Sequence, residues 1–280
     1  MSVLSVNVLG VGLRGPGLEG WEKSVPLLRD AALWRAAPTV IPAPERLPSA
    51  ERRRSGAIVK LSIAAAEEAC VAAGIDTRSL ATVFTSSSGD VQNCHMLCEA
   101  LATPERAVSP TRFTNSVHNA PAGYWHIATA SRAPSTSLCA FDASFGAGLL
   151  EAAAQCVSLA RPVLLVAADV PYPQPLHAKR PVGEAFGVAM VLDASPASGS
   201  SGDALARLQV SVSHGQPEHC ETPSLESLRA QVPAARALPL LRLLAQLALD
   251  DPRGAQARRC TLEYLAPATL DVVVAPKGRA

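Results

Sequence analysis

Residues 109–169 read SPTRFTNSVHNAPAGYWHIATASRAPSTSLCAFDASFGAGLLEAAAQCVSLARPVLLVAAD. A polar connection over 103–119 leads into a short helical segment at 120–130. Residues 135–141 read as a strand, and 142–148 form a sharp bend of small side chains. Residues 149–159 are rich in alanine and leucine at helical spacing and predict a buried helix. Residues 163–168 are apolar without interruption, which marks a central strand covered on both faces. A strand that enters a tight small-residue turn and opens a buried helix has the form of a nucleophile elbow. Such a turn exposes one side chain at a helix N-terminus, where the dipole favours an anion. An ordinary strand-to-helix turn produces the same pattern, so the two readings stay open at the level of geometry.

Working outward, residues 3–9 form a strand ending in Gly10-Val11-Gly12, and the glycine- and proline-rich stretch 15–21 reads as a loop. Residues 37–48 hold four prolines and are irregular. Leu61, Ile63, Ala66 and Cys70 fall at helical spacing within 55–73, and Gly74 ends that helix at the position past its last turn. A buried strand at 80–85 leads through Ser86-Ser87-Ser88-Gly89 into a helix over 90–101. Beyond the opening stretch, 172–181 is a proline-rich loop, 186–192 a strand, 195–202 a Ser/Gly turn and 205–212 an alternating strand. A helix is expected over 233–249 and a last strand over 261–274. Strands alternating with helices make the fold class α/β, with a central mixed sheet and helices on both faces.

The bulk properties narrow the function. The chain has 280 residues, of which 48% are hydrophobic and only 4% aromatic, so its core is built from aliphatic side chains. A net charge of +1 speaks against a nucleic-acid partner, which selects a basic excess. No apolar run is long enough for a membrane helix, and the N-terminus lacks the basic region of a signal peptide. The seven cysteines show no framework spacing, and an odd count fits reduced thiols in the cytoplasm. Cys94-His95-x-x-Cys98 hints at a metal but lacks two further ligands, so neither metal nor cofactor is expected. Gly10-Val11-Gly12-Leu13-Arg14-Gly15 lacks the following helix and acid of a dinucleotide loop and reads as a plain turn. Arg52-Arg53-Arg54 could dock an acidic carrier protein; as a solvated charge run it needs no partner.

The motifs in order resemble β-ketoacyl synthases, members of the thiolase fold. Phe113, Asn119 and Ala122-Gly123 match that family's lead-in to the nucleophile. Leu149, Cys156, Ser158 and Leu159 match its helix, and Leu165, Val166 and Ala167 its following strand. Residues 57–76 (AIVKLSIAAAEEACVAAGID) resemble the early helix, 80–90 (LATVFTSSSGD) the next strand and turn, and 181–192 (PVGEAFGVAMVL) the Gly-Glu-Gly-Ala-Gly strand. The resemblance covers about residues 3–215 of a single domain, 1–280, leaving 216–280 as a divergent C-terminal extension.

The departures bear on activity. Aligning Asp142 and Leu149 with their counterparts puts Phe145 at the nucleophilic cysteine's position; a one-residue slip puts Ser144 there. A phenylalanine cannot attack a thioester, and a serine needs an adjacent base. Cys139 falls too early, on the incoming strand, where it reads as a core residue. The family's two catalytic histidines lie in motifs that nothing after Gly215 resembles, and His95, His118, His126, His177, His214 and His219 all fall outside them. Condensation needs nucleophile, base and oxyanion hole together.

The resemblance therefore implies a chain-length-factor-like subunit with no catalytic residues of its own. It would pair with a full-length ketosynthase and serve an acyl carrier protein, as in bacterial aryl polyene and xanthomonadin-type pigment systems. On the same basis, Met96, Leu97 and Phe113 are tunnel or gate candidates. Tyr124, Trp125, Leu138 and Phe141 are interface candidates, with the strand 135–141 meeting its counterpart in the partner. Two alternatives remain: an acyltransferase or hydrolase using Ser144 or Cys139, and a stand-alone module that binds acyl chains or carrier protein.

Overall fold

The structure is a computed structural model that describes residues 3–194, 204–249 and 256–276; the turn expected over 195–202 lies outside them. Among the described residues nine strands form one sheet. They are β1 (Leu4–Gly15), β2 (Leu18–Glu19), β3 (Ala81–Thr85), β4 (Ser135–Leu138), β5 (Val163–Asp169), β6 (Phe186–Asp193), β7 (Ala206–Ser213), β8 (Arg258–Glu263) and β9 (Thr269–Ala275). The order is β4-β3-β5-β6-β1-β7-β9-β8, with β2 folded back on β1. β3 runs parallel to β4 and β5, and every other pair is antiparallel. The helices are α1 (Trp21–Arg29), α2 (Ser49–Arg54), α3 (Ala57–Ala73), α4 (Val91–Ala102), α5 (Pro110–Thr114), α6 (Ala120–Thr129), α7 (Ser144–Leu159), α8 (Leu176–Lys179), α9 (Pro223–Gln231) and α10 (Leu238–Leu249).

The register assigns the two large helices to opposite faces. A Cβ on Gly187 would meet Leu61 of α3, and Gly187 pairs with Ala168 of β5. Even-numbered positions of β5 therefore face α3. Thr85 pairs with the odd-numbered Ala167, and a Cβ on Gly148 of α7 would meet Thr85 and Leu165. Side chains alternate along a strand, so α7 covers the other face. This is why every residue of β5 and β6 is buried, as their unbroken apolar runs predict, whereas β7 alternates between buried and exposed.

Four expectations change. The Gly10-Val11-Gly12 stretch does not end β1, which continues to Gly15; a Cβ on Gly12 would overlap the Ala65 carbonyl, so the glycine is a notch for α3. The expected 135–141 strand stops at Leu138 and gives way to a 3-10 turn, Phe141–Ala143, so α7 begins at Ser144 rather than 149. The expected 233–249 helix is a 3-10 segment, Pro233–Ala237, followed by α10, and the expected last strand is the hairpin β8–β9. The C-terminal residues share the sheet through β7–β9 pairing, and Leu238, Leu240, Leu241 and Leu244 join the common core.

Candidate functional site

The parallel strands β3, β4 and β5 deliver their C-terminal ends to one place, where open α/β sheets carry their sites. β3 ends in the Ser86–Gly89 turn, β4 in the elbow that opens α7, and β5 in Asp169. At the elbow, Phe141 has a φ of 54°, a left-handed value that bulky residues avoid, and its side chain is 59% exposed. Phe141 is thus the outward residue of the turn. Ser144 and Phe145, the two positions aligned with the nucleophile, both lie inside. Phe145 is among the largest fully buried side chains. Ser144 is buried as well; its hydroxyl donates to the Phe141 carbonyl at 2.7 Å and accepts from the Ala140 N–H at 3.1 Å. Both partners are backbone, so the hydroxyl ties the turn together and is not activated by a base.

The C-terminal residues close this turn from the other side. Asp169 Oδ1 accepts from Ser86 Oγ (3.0 Å) and Ser87 N–H (2.8 Å), while Oδ2 accepts from Ala234 N–H (2.8 Å). Burial pushes the Asp169 carboxyl up, and these hydrogen bonds oppose the shift. A charged lattice continues outward. Asp142 pairs with Arg180 and lies 3.9 Å from Arg236, and Arg236 pairs with Glu263. Glu263 also holds Arg229 (2.8 Å), which is 2% exposed and takes a second carboxylate from Glu226 (2.7 Å). A buried guanidinium needs such paired carboxylates to offset its lost hydration. The Arg229 bonds hold the Glu226 carboxyl down at about 2, against the opposing effect of burial.

The remaining candidates scatter. Cys139 is exposed and its thiol donates to the Ser87 carbonyl at 3.1 Å, which corrects its reading as a core residue. His118 is held on the Ser86 carbonyl at 3.0 Å, and among the described residues no hydrogen bond joins a histidine to Ser144 or Cys139. Trp125 is fully buried and Tyr124 nearly so, with its hydroxyl donating to Asn115 Oδ1 (3.0 Å). Both fill this chain's own core beside α3 and have no free surface to offer, which corrects their expected interface role. Leu138 is partly buried against the core on β4, the terminal strand of the sheet. Met96 and Leu97 are half-buried on α4, where Arg112 reaches the Met96 sulfur at 2.8 Å, and Phe113 of α5 is 69% exposed. His95 pairs with Glu99 at 3.2 Å, and no group of three or more metal-ligating side chains occurs among the described residues. Arg52 and Arg54 are engaged with Glu45 and Glu51. Sequence reasoning missed Arg180 and Arg236, which no local pattern marks, and Asp169, whose signal was the acid closing the apolar run of β5.

Residues 29–241 match the family described as beta-ketoacyl synthase, N-terminal domain. No curated protein sequence matches the chain. Among solved structures, the chain is similar to the complex of the ketosynthase ApeO with its chain length factor ApeC from Xenorhabdus doucetiae, at 22% identity and a TM-score of 0.67 over 96% of this chain and 99% of that one. It is also similar to the ishigamide ketosynthase/chain length factor, at 14% identity and a TM-score of 0.73, covering 98% and 100%. A third is AntDE:AntF, a type II acyl-carrier protein in complex with its ketosynthase, at 12% identity and a TM-score of 0.74, again covering 98% and 100%. These likenesses establish the ketosynthase-type α/β fold, with the central mixed sheet expected from the sequence.

Proposed function

The chain belongs to the β-ketoacyl synthase family through its N-terminal domain, and from that premise we propose that it is a non-catalytic, chain-length-factor-like subunit. It pairs with a full-length ketosynthase in acyl-carrier-protein-dependent elongation of a polyene or fatty-acid-type chain, in the cytoplasm. The observation that carries this reading is the elbow: a phenylalanine stands outward at Phe141, another is buried at Phe145, and the Ser144 hydroxyl is spent on backbone. Thioester exchange needs a nucleophile with a base beside it, and neither is assembled there. The solved structures of similar fold include a ketosynthase held by its chain length factor, which favours the same division of labour. The free edge of β4 favours a partner too, because an unpaired strand edge is a site for pairing. Among the described residues no helix is long and apolar enough to cross a membrane.

The test is an elongation assay with malonyl- and acyl-loaded carrier protein, followed by mass spectrometry. The chain alone yields no β-ketoacyl product; with its ketosynthase it co-purifies and the pair turns over. Product formed by the chain alone, or failure to form a complex with any full-length ketosynthase of the same source, overturns the proposal.

A further inference from the structure

We propose that a cleft on the flank of α3 binds a small organic cation, a primary amine carried on an apolar body, with Glu67 as the group that holds the amine. The cleft has a volume of about 810 Å³, within the range of roughly 300–1,000 Å³ typical of small-molecule sites. Leu61, Ala65 and Ala69 of α3 face the sheet, where they meet Gly187, Gly12 and Gly10. The adjoining stripe of the same helix, Ala64, Glu67, Glu68, Val71 and Ala72, lines the cleft. Trp21 and Val25 of α1 and the prolines Pro42 and Pro44 complete its apolar walls. The cleft lies beside β1, which β3, β5 and β6 separate from the terminal strand β4. It is therefore remote from the elbow, and its occupancy does not depend on the pairing proposed above.

Charge selects the ligand. Four carboxylates line the cleft, Glu19, Glu22, Glu67 and Glu68, against two cations, Arg14 and Lys23. Both cations are taken: Arg14 pairs with Glu68, and Lys23 lies 3.6 Å from Glu19. Glu68 is spent on structure as well, accepting from the Leu13 N–H and from the Trp21 N–H at the head of α1. Glu67 differs from the other three. It is half-buried, and its buried Oε1 has no hydrogen-bond partner among the described residues. Buried acceptors are normally satisfied, so an exception calls for a cause. Burial pushes the Glu67 carboxyl up, and Arg46 opposes the shift by its charge alone. What Glu67 lacks is a donor, and what the cleft lacks is positive charge. An ammonium group supplies both, in the stronger, charge-assisted form of hydrogen bond. The rest of the ligand must be apolar, because Trp21, Val25 and the prolines offer it no polar partner. Val71, apolar yet 81% exposed at the same wall, gains cover from such a body.

The experiment titrates the purified full chain with 2-phenylethylamine, 3-phenylpropionate and 2-phenylethanol by ligand-observed NMR. The three probes are alike in size and differ in charge. The amine is expected to bind about tenfold or more tighter than the anion or the alcohol, the worth of one charge-assisted hydrogen bond. Glu67→Gln is expected to remove that advantage and leave the alcohol unchanged, so a folding defect cannot mimic the result. Ala72→Trp fills the cleft from an exposed position; it is expected to abolish binding of the amine without lowering the thermal midpoint. Equal binding of the three probes overturns the selection for a cation. Amine binding undiminished in Glu67→Gln overturns the role of Glu67, and amine binding undiminished in Ala72→Trp overturns the cleft as the site. No amine binding at about 10 mM, above the affinity expected of a fragment this small, overturns the proposal as a whole. A lysine-containing peptide held more tightly than the amine overturns the small-molecule assignment. None of these results touches the proposed pairing.

Discussion

The backbone carbonyl of Glu263, at the end of β8, presses against Gly146 in the first turn of α7, so that a Cβ on the glycine would overlap the oxygen. This contact joins the C-terminal hairpin to the helix whose N-terminus would carry the nucleophile in a catalytic relative. Gly146→Ala should cost about 2–3 kcal/mol, the upper part of the range for overpacking, because the obstructing atom is backbone and cannot change rotamer. Gly123 of α6 is the contrast: exposed, within a helix, and with nothing within 4 Å of an added Cβ. Gly123→Ala should stabilise by about 0.5–1 kcal/mol. Urea unfolding of both variants checks the pair of signs, and equal effects would refute the contact.

Acid should loosen the same hairpin through Glu226. Its folded pKa, about 2, lies below the ordinary value of 4.5 because Arg229 bonds the carboxylate. A depressed carboxylate contributes stability that is present above its unfolded pKa and is lost as the pH falls through the folded one. Wild-type stability should therefore decline between about pH 4.5 and 2 more steeply than that of Glu226→Gln. The variant should also be weaker at neutral pH, since the buried Arg229 loses the Glu226 carboxylate and keeps that of Glu263. Asp169 works in the opposite direction: burial raises its pKa, so its contribution is lost as the pH rises through the folded value. The difference between variant and wild type isolates Glu226. Calorimetric midpoints from pH 2 to 7 provide the measurement, and identical acid slopes would rule the linkage out.

Thiol accessibility separates the exposed elbow from the core. Cys98 and Cys139 are exposed and Cys94 is intermediate, while Cys70, Cys156, Cys220 and Cys260 are buried. Burial pushes the thiols of Cys70 and Cys156 up to about 12 and that of Cys220 to about 11, and raises Cys260 as well. Iodoacetamide at pH 8 should modify Cys98 and Cys139 first and leave the four buried thiols untouched until denaturant is added. Peptide mass spectrometry reads the order. An acyl thioester should leave Cys139 unmodified, because its thiol is donated to the Ser87 carbonyl and no histidine among the described residues is hydrogen-bonded to it.

Legibility in the sequence followed how local each determinant is. Val163–Asp169 and Phe186–Asp193 were visible because a doubly covered strand must be apolar at every position. Gly74 was visible as a helix stop because its φ of 62° suits glycine. α1 was missed: Pro26 lies inside it, and proline argues locally against a helix that packing against α10 sustains. The outward elbow residue was also hidden. Alignment by Leu149 chose between Phe145 and Ser144, whereas the backbone turns at Phe141, several residues earlier, where a 3-10 segment precedes the helix. The lattice of Asp142, Arg180, Arg236 and Glu263 joins residues far apart in sequence, Asp142 with Arg236 above all, and no short-range pattern encodes such pairs.

The register of β4 decides which substitutions test pairing with a partner. Thr82 N–H donates to the Pro134 carbonyl and Ser86 N–H to the Leu138 carbonyl. Backbone groups of even-numbered residues in β4 therefore turn toward β3, and those of Ser135 and Ser137 turn toward the free edge. A proline at Leu138 would remove a donor from this chain's own β3–β4 ladder and report on folding instead of assembly. Ser137→Pro removes an edge donor and leaves that ladder whole, a position at which sheets tolerate proline. If β4 pairs with a strand of the ketosynthase, Ser137→Pro should weaken the complex about tenfold, the loss of roughly one hydrogen bond. Its thermal midpoint alone should stay close to wild type, and Leu138→Pro should lower the midpoint whether or not a partner is present. Co-expression, size-exclusion chromatography and melting of the free chain separate the cases. A Ser137→Pro chain that melts normally and binds at full strength would show that β4 is not the strand that pairs.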